Sequence, residues 1–320
     1  MKYFRLYLCI VFAYGISLPV SANTSRDLKK AQHALSATEY DKAFQLFTRI
    51  EKDSQHPLAQ FSLALIYKQG LGRSIDTATA CHWFKKAAEA DIPTAAHEYA
   101  ECLAKGLNIE SADYTKAAIW YQKAGDLGSF ISYCSLGQLE MSGTGVDKDP
   151  KKAIQLCQVA AERGSPVAII QLGRWLFEGE ETIRDSAAAL QWLEKGASLK
   201  LAEAEFYLGK MIRANLVKET SLLDARYWFE KAASQGYNPA YLPAGELYFT
   251  AQTDEKNGRP SARDLAKSYL WLSVAVQTAN EEQQFAASEL LNQVMKIMPV
   301  SWKKDLDPKI EEHLAKYNIL

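Results

Sequence analysis

Residues 202–236 read AEAEFYLGKMIRANLVKETSLLDARYWFEKAASQG, and the spacing of small, aliphatic and aromatic residues in this stretch decides the fold. Ala204 and Leu208 stand four residues apart, and Gly209 follows the leucine. Trp228 opens a second apolar series, which two alanines continue. Apolar residues at such spacings share one face of a helix. A small residue beside the leucine lets a partner helix approach closely, so the stretch predicts a pair of packed helices.

The same pattern recurs along the chain. A Leu or Tyr followed by Ala or Gly stands at 63/64, 99/100, 136/137, 172/173, 208/209 and 244/245, at intervals of 36 or 37 residues. An aromatic residue of the second helix follows at Trp83, Trp120, Trp192, Trp228 and Trp271, and Cys157 takes its place in the third copy. A fixed period of this length is typical of helical-repeat proteins. We therefore expect six helix-turn-helix repeats over residues 57–280.

Glycines mark the turn inside several repeats. Gly70, Gly72, Gly106, Gly143 and Gly145 lie where the first helix must stop, because glycine accepts the positive φ of a helix C-cap. Asp149 and Pro150 predict an N-cap and first-turn pair for the next helix. The fourth and fifth repeats depart from the pattern: the fourth has Glu178-Gly179-Glu180, and the fifth has no glycine over 212–219.

This pattern resembles the Sel1-like repeat family, a relative of the tetratricopeptide repeats. The residues that carry the resemblance include Ala168, Leu172, Gly173, Trp192 and Ala197 in one repeat, and Ala204, Leu208, Gly209, Trp228, Lys231, Ala232, Ala233 and Gly236 in the next. The resemblance covers roughly residues 57–298. It implies an all-α, right-handed α-solenoid of tandem helix-turn-helix repeats with terminal capping helices.

The remaining segments complete the predicted domain organisation. Residues 23–56 read as a degenerate helical hairpin, and residues 281–320 as C-terminal capping helices. The first capping helix is predicted over 281–298, with Phe285 on its apolar side. Asp307 and Pro308 predict the start of the last helix. A cap is expected because a terminal repeat has no neighbour to cover its apolar side.

Residues 1–22 predict a cleavable signal peptide. Lys2 and Arg5 precede an apolar run over 6–16, and small residues precede Asn23. The alternative is a membrane anchor, but the run is shorter than the roughly 20 residues that span a bilayer. We therefore expect a periplasmic or secreted protein with no transmembrane segment after cleavage. Its 37 basic and 38 acidic residues nearly balance, so a nucleic-acid partner is not expected.

The sequence offers no motif for catalysis or cofactor binding. It contains no phosphate-binding loop, dinucleotide fingerprint or nucleophile elbow. We therefore predict no catalytic residues, no cofactor and no metal. Cys81, His82, His97 and Cys102 are the one group that could hold a metal. Their spacing matches no zinc pattern, and His97 falls in a column of packing residues.

The four cysteines outside the predicted signal peptide allow two interpretations. An exported protein matures where disulfides persist. Antiparallel helices over 79–90 and 94–105 would place Cys81 level with Cys102, and the same argument pairs Cys134 with Cys157. The alternative is four buried thiols that pack as small apolar side chains. The sequence leaves both open, and the favoured pairing is 81–102 with 134–157.

Variable positions on the first helices are the candidate binding surface. The column two residues after the repeat leucine reads Leu65, Glu101, Gln138, Arg174, Lys210 and Glu246, with Tyr207 and Tyr241 nearby. First helices line the concave side of such a stack, and aromatic and arginine side chains contribute strongly to interfaces. All residues of this column except Leu65, together with both tyrosines, are candidate partner contacts. The alternative is an ordinary solvated helix face.

These expectations favour a non-catalytic, exported scaffold or adaptor that binds a protein partner in a concave groove. The resemblance implies roles in envelope assembly, signalling or host interaction, and a monomer or a subunit of a hetero-complex. One alternative is an enzyme or binding protein for cell-wall glycan or peptidoglycan. Another is a structural subunit of an envelope machine. Fold-level analogy does not choose among them.

Overall fold

The computed structural model describes residues 22–107, 111–251 and 258–317. Over these ranges the regular elements are helices and no strand occurs, which confirms the all-α class. The predicted signal peptide lies outside the described residues except for Ala22. The chain forms two compact units, Met1–Ser132 with Thr144–Val146, and Tyr133–Gly143 with Asp147–Leu320.

The first unit is a series of three helical hairpins. Its helices are α1 (Ala22–Ser36), α2 (Tyr40–Ser54), α3 (Pro57–Gln69), α4 (Thr77–Glu89), α5 (Pro93–Lys105) and α6 (Tyr114–Asp126). Each helix packs against the next one in the chain. The leading helices α1 and α2 pack against each other as a hairpin.

The second unit continues with the same construction. Its helices are α7 (Ile131–Ser142), whose first two residues belong to the first unit, α8 (Pro150–Glu162), α9 (Pro166–Glu178), α10 (Ser186–Ser198), α11 (Ala202–Arg213), α12 (Leu222–Ser234), α13 (Tyr241–Thr250), α14 (Ala262–Thr278), α15 (Glu281–Ile297) and α16 (Lys303–Lys316). A short 3-10 turn precedes α13 and another precedes α16. We call the odd-numbered helices α3 to α13 the first helices of the six repeats, and the even-numbered helices α4 to α14 the second helices.

Small residues set the distance between the two helices of a repeat. A Cβ added at Gly173 would lie 2.5 Å from Leu193 of α10, and one at Gly209 would lie 2.8 Å from the Phe229 ring of α12. Leu193 and Phe229 are themselves fully buried. In these two repeats the glycine and the large side chain therefore form one interlocking contact.

Each second helix begins with a side-chain N-cap. Side-chain oxygens of Asp76, Asp113, Asp149, Asp185, Ser221 and Ser261 accept hydrogen bonds from backbone N–H groups of the first turn. These bonds satisfy donors that have no partner inside the helix. The cap predicted at Asp149 is confirmed, with Pro150 in the first turn.

The turns follow the sequence where glycines are present. Gly70 and Gly106 take positive φ values of 68° and 64° at the ends of α3 and α5. In the fifth repeat, Asn215 and Glu219 adopt φ values of 59° and 56° instead. Gly179 in the fourth repeat has a φ of −68° and is extended. The departures in sequence therefore correspond to different turn geometries, with the hairpins retained.

The C-terminal helices differ from expectation in two places. Helix α15 forms as predicted, but Phe285 is 68% exposed rather than on the packed side. Helix α16 begins at Lys303, so Pro308 lies inside the helix and not at its start. Asp307 is not a cap because it also lies inside α16. Its carboxylate accepts a 2.7 Å hydrogen bond from the Tyr269 hydroxyl of α14. Asp307 therefore joins α16 to α14 rather than beginning the last helix.

Candidate functional site: a groove on α9, α11 and α13

A groove of about 480 Å³ runs across the first helices of the last three repeats. Its apolar floor is formed by Phe177, Phe206, Phe229 and Leu242, with two prolines, Pro239 and Pro243, at one side. Lys210, Arg213 and Glu246 stand at its rim, and Gln283 of α15 reaches it. All of these residues belong to the second unit.

Aromatic rings give the floor its shape. The Phe206 ring centroid lies 5.6 Å from that of Phe229, 5.4 Å from that of Tyr207 and 5.3 Å from that of Tyr237. Phe229 is fully buried, while Phe177 and Phe206 are half-buried. Rings at these distances pack in the edge-on and tilted arrangements that aromatic pairs prefer. The floor is therefore rigid and partly open to a ligand.

Ion pairs connect neighbouring first helices along the rim. Lys210 of α11 contacts Glu178 of α9, and Arg213 of α11 binds both carboxylate oxygens of Glu246 on α13 at 2.8 Å. The Lys210 side chain is 38% exposed and that of Arg213 is 43% exposed. Exposed ion pairs contribute only about 0–1 kcal/mol. A ligand could therefore exchange these partners at little cost.

Lys210 occupies the centre of this surface. Its Nζ lies 5.7 Å from the Phe177 ring centroid, 5.8 Å from that of Phe206 and 5.4 Å from that of Tyr207. A cation within about 6 Å of a ring face is attracted by the π electrons. The same rings could hold a cationic or an apolar side chain of a partner if Lys210 moved aside.

Tyr207 contributes a neutral hydroxyl beside the groove. Burial, and secondarily the nearby Glu178 carboxylate, raise the pKa of Tyr207 to about 12. Arg174, whose guanidinium donates a 2.9 Å hydrogen bond to Gln171, acts in the opposite direction. The phenol therefore stays protonated at physiological pH and offers one donor.

The predicted contact residues divide into three groups. Lys210 and Glu246 line the groove, and Arg174 lies beside it. Tyr207 is 8% exposed and Tyr241 is fully buried, so neither tyrosine presents the open surface expected of a partner contact. Tyr241 stacks on Trp271 at 5.9 Å and its hydroxyl lies 3.0 Å from the His313 ring nitrogen of α16. The C-terminal helix covers this tyrosine, which removes it from any contact surface.

Glu101 and Gln138 lie elsewhere. Glu101 belongs to the first unit, where it accepts a 2.6 Å hydrogen bond from the Tyr121 hydroxyl and pairs with Lys105. Burial works against ionisation, but these two partners hold the pKa of Glu101 below its usual range. Gln138 is exposed on α7 and does not line the groove. Within the column, Lys210 and Glu246 are the residues that line this groove.

Sequence reasoning missed several lining residues. Phe177 and Arg213 follow Arg174 and Lys210 by three residues, so each pair shares a helix face. Phe206 occupies the same repeat position as His97, which predicts a packing residue, yet it is half-buried. Inspection of the i+3 neighbours of the variable column could have found the first two. The openness of Phe206 depends on the path of α13, which the repeat pattern does not specify.

A histidine and a serine approach each other in the first unit. His97 Nδ1 lies 2.9 Å from Ser132 Oγ, and its ring contacts Tyr121. Burial lowers the pKa of His97, so the ring is neutral at pH 7. Ser132 is fully buried, and it also donates to Ser129 Oγ. No substrate could reach this hydroxyl, so the pair joins neighbouring repeats rather than activating a nucleophile.

The cysteines form the two pairs that the predicted antiparallel helices favoured. Cys81 is bonded to Cys102, and Cys134 to Cys157. The first disulfide joins α4 to α5 and the second joins α7 to α8. All four residues are buried. Cys81 and Cys102 are bonded to each other and therefore supply no thiolate to a metal. The described part of the chain contains no group of three side chains suited to a metal.

The tryptophans of the second helices are covered by lysines three residues later. Lys86, Lys123, Lys195 and Lys231 place Nζ between 4.5 and 4.8 Å from the ring centroids of Trp83, Trp120, Trp192 and Trp228. A sugar ring would need such an aromatic face free. These tryptophans therefore serve packing, which removes the main support for a glycan platform. Among the described residues, no helix is both long enough and apolar enough to cross a bilayer.

The fold and the groove define a class of proteins built from tandem helical hairpins. The sequence profile of the Sel1 repeat matches residues 57–92, 93–129, 131–165, 166–201 and 202–237, which together exceed half of the chain. The chain belongs to the Sel1 repeat family. Residues 238–280, which we expected to be a sixth repeat, are not among the matched ranges.

Solved structures support the same architecture. A protective antigen of uropathogenic Escherichia coli with an SLR fold superimposes with a TM-score of 0.76 at 24% identity, over 92% of this chain and 62% of that one. A Sel1 repeat protein from Oxalobacter formigenes gives a TM-score of 0.66 at 27% identity, over 79% of this chain and 100% of that one. The fold is therefore that of Sel1 repeat proteins.

A curated relative is a component of a larger assembly. The ERAD-associated E3 ubiquitin-protein ligase component HRD3B of Arabidopsis thaliana is 30% identical over 136 residues, which are 42% of this chain and 21% of that protein. The chain thus matches about a fifth of the relative. Sel1 repeats mediate contacts between proteins, and this chain has the architecture of such a scaffold.

Proposed function

We propose that this protein is an exported, non-catalytic adaptor that holds a segment of a protein partner in the groove on α9, α11 and α13. The main support is the aromatic floor of Phe177 and Phe206. Above it lie ion pairs whose basic side chains, Lys210 and Arg213, are more than a third exposed. Apolar floors with polar rims are typical of protein interfaces. The similarity to a ligase component supports assembly with other proteins.

Export has two supports in the chain. The first residues read as a signal peptide, and the two disulfides fit an oxidising compartment. A periplasmic or secreted location is part of the proposal. Envelope assembly, signalling or host interaction are the processes in which such an adaptor would act.

Crosslinking in the living cell tests the groove. A photo-reactive amino acid replaces Lys210 in one strain and Glu194, which is exposed on the second helix α10, in another. We expect a defined crosslinked protein from position 210 and none from position 194. Equal crosslinking from both positions, or none from 210, would contradict the proposed groove.

Charge reversal tests the rim independently. Arg174→Glu with Lys210→Glu should weaken capture of that crosslinked protein at least ten-fold while the melting temperature changes little, since exposed ion pairs contribute little to stability. Unchanged capture in the folded variant would remove this surface from consideration.

A further inference from the structure

The leading hairpin carries a second groove with different chemistry. Helices α1 and α2 enclose about 730 Å³ between rows of exposed side chains. The charged residues along it are Arg26, Lys29 and Lys30 on α1, and Lys42 and Arg49 on α2, with His33 between them. No acidic residue lines it. We call this surface the basic groove.

Helix periodicity separates the basic groove from the core. Arg26, Lys29, Lys30 and His33 follow the i, i+3, i+4, i+7 spacing that keeps side chains on one helix face. The buried side of the hairpin is formed instead by Leu28, Ala31, Leu35, Ala43, Phe47 and Ile50. The basic side chains therefore carry no packing role.

The two carboxylates nearest the basic groove neutralise only part of the charge of its five basic side chains. Asp27 contacts Arg49 at 2.8 Å and Lys30 at 3.4 Å, and Glu39 contacts Lys42 at 2.6 Å. Within the described ranges, Arg26 and Lys29 have no ion-pair partner, and Arg26 reaches only Asn23 at 3.5 Å. The excess positive charge contrasts with a whole-chain net charge of −1. It is therefore a local feature rather than a consequence of composition.

From these observations we infer that the basic groove binds an acidic segment of a polypeptide. Cations on both walls of a cleft suit a chain that lies within it, whereas a bilayer presents a plane. Arginine forms two parallel hydrogen bonds to a carboxylate. The row from Arg26 to His33 is about 10 Å long at 1.5 Å per residue. It therefore accommodates about three extended residues.

This site is separate from the groove proposed for the partner, and its test uses a defined probe. Fluorescence anisotropy of the full chain at low salt measures binding of a fluorescein-labelled peptide of six glutamates, with a six-glutamine peptide for comparison. We expect the glutamate peptide alone to bind, and the affinity to fall with added salt, because exposed charges are screened.

Charge reversal assigns the binding to the hairpin. Arg26→Glu with Lys29→Glu breaks no described ion pair and should weaken binding at least ten-fold. Lys151→Glu with Lys218→Glu makes the same change in net charge at exposed positions elsewhere and should leave binding unchanged. Circular dichroism of both double variants verifies folding.

Three outcomes overturn the inference. The first is no binding of the glutamate peptide. The second is equal loss in both double variants, which would indicate a general charge effect. The third is binding to vesicles with 30% anionic phospholipid without binding of the peptide, which would assign these cations to a membrane surface. Failure of the groove on α9, α11 and α13 would leave this result untouched because the variants do not overlap.

Discussion

Gly137 of α7 lies against the backbone of α8. A Cβ at this position would stand 2.8 Å from the carbonyl oxygen of Ala153, which cannot move without shifting α8. Alanine normally favours a helix over glycine by about 1 kcal/mol. Overpacking costs about 1–3 kcal/mol, so the clash outweighs the gain in helix propensity and the substitution is destabilising.

Gly137→Ala should therefore lower the free energy of unfolding by about 1–2 kcal/mol. Urea denaturation followed by circular dichroism measures this change. Gln138→Ala changes the adjacent exposed residue and should stay within about 0.5 kcal/mol of the parent. A Gly137→Ala protein as stable as the parent would show that the helices are free to separate here.

His97 makes stability depend on pH. Burial lowers the pKa of His97 below its ordinary value, although the nearby carboxylates of Glu98 and Glu101 act in the opposite direction. The unfolded chain then binds a proton more readily than the folded protein does, so stability is full above about pH 6.5 and declines below it. Burial lowers the pKa of His56 and His313 in the same direction.

We expect the melting temperature to fall between pH 7.5 and pH 5. His97→Gln, which retains hydrogen-bonding atoms near Ser132 but does not titrate, should show a smaller fall. His82→Gln alters an exposed histidine and should keep the parental profile. Identical profiles for all three proteins would exclude His97 as a source of the pH dependence.

Recurrent Trp-x-x-Lys sequences connect successive second helices. Lys195 donates to the carbonyl of Ala161 in the last turn of α8 at 3.1 Å, and Lys123 donates to Ala88 in the last turn of α4 at 3.3 Å. Both carbonyls also accept backbone hydrogen bonds, so the lysine adds a further donor and its charge complements the helix dipole. The motif therefore attaches each of these repeats to the one before it.

Lys195→Met should destabilise the protein by about 1–2 kcal/mol, because it keeps the aliphatic stem and removes the hydrogen bond and the contact with Trp192. Chemical denaturation compares it with Lys151→Met, an exposed change on α8 that should be neutral. Equal stability of the two variants would mean that the Lys195 contacts do not stabilise the protein.

The disulfides constrain two neighbouring helix pairs. Their sequence separations are 21 and 23 residues, and closing loops of this size stabilises a protein by about 3 kcal/mol each in the chain-entropy account. Mass spectrometry of unreduced peptides should find the 81–102 and 134–157 linkages. A reductant should lower the melting temperature of the parent but not of a variant with serine at all four positions.

Local sequence patterns determined most of the fold and only part of the site. Leu208 and Gly209 specify their hairpin because a helix period and a close contact are properties of neighbouring residues. The burial of Tyr241 depends on α16, about 70 residues later. The Trp-x-x-Lys spacing is local, but the carbonyl that each lysine contacts belongs to the preceding repeat. Long-range packing therefore explains the error at Tyr241.

The last repeats form one cooperative region because the terminal helices cover them. Leu314 of α16 is 1% exposed and shares its core with Tyr241, Trp271 and Ile310. Tyr317, the residue directly after this helix, donates a 2.6 Å hydrogen bond to the carbonyl of Ser234. In stacked repeats, stability comes from each unit and its nearest neighbours. Damage at α16 should therefore spread only to the repeats beside it.

Leu314→Ala should cost about 2–4 kcal/mol, since it leaves a cavity in this core. Hydrogen exchange should rise in α13, α14 and α16 and stay unchanged in α3 to α6, because local opening follows contiguous packing. Glu311→Ala, an exposed change on the same helix, should leave exchange at parental levels throughout. A uniform rise across all repeats in Leu314→Ala would show that the chain unfolds as a single unit, contrary to the nearest-neighbour account.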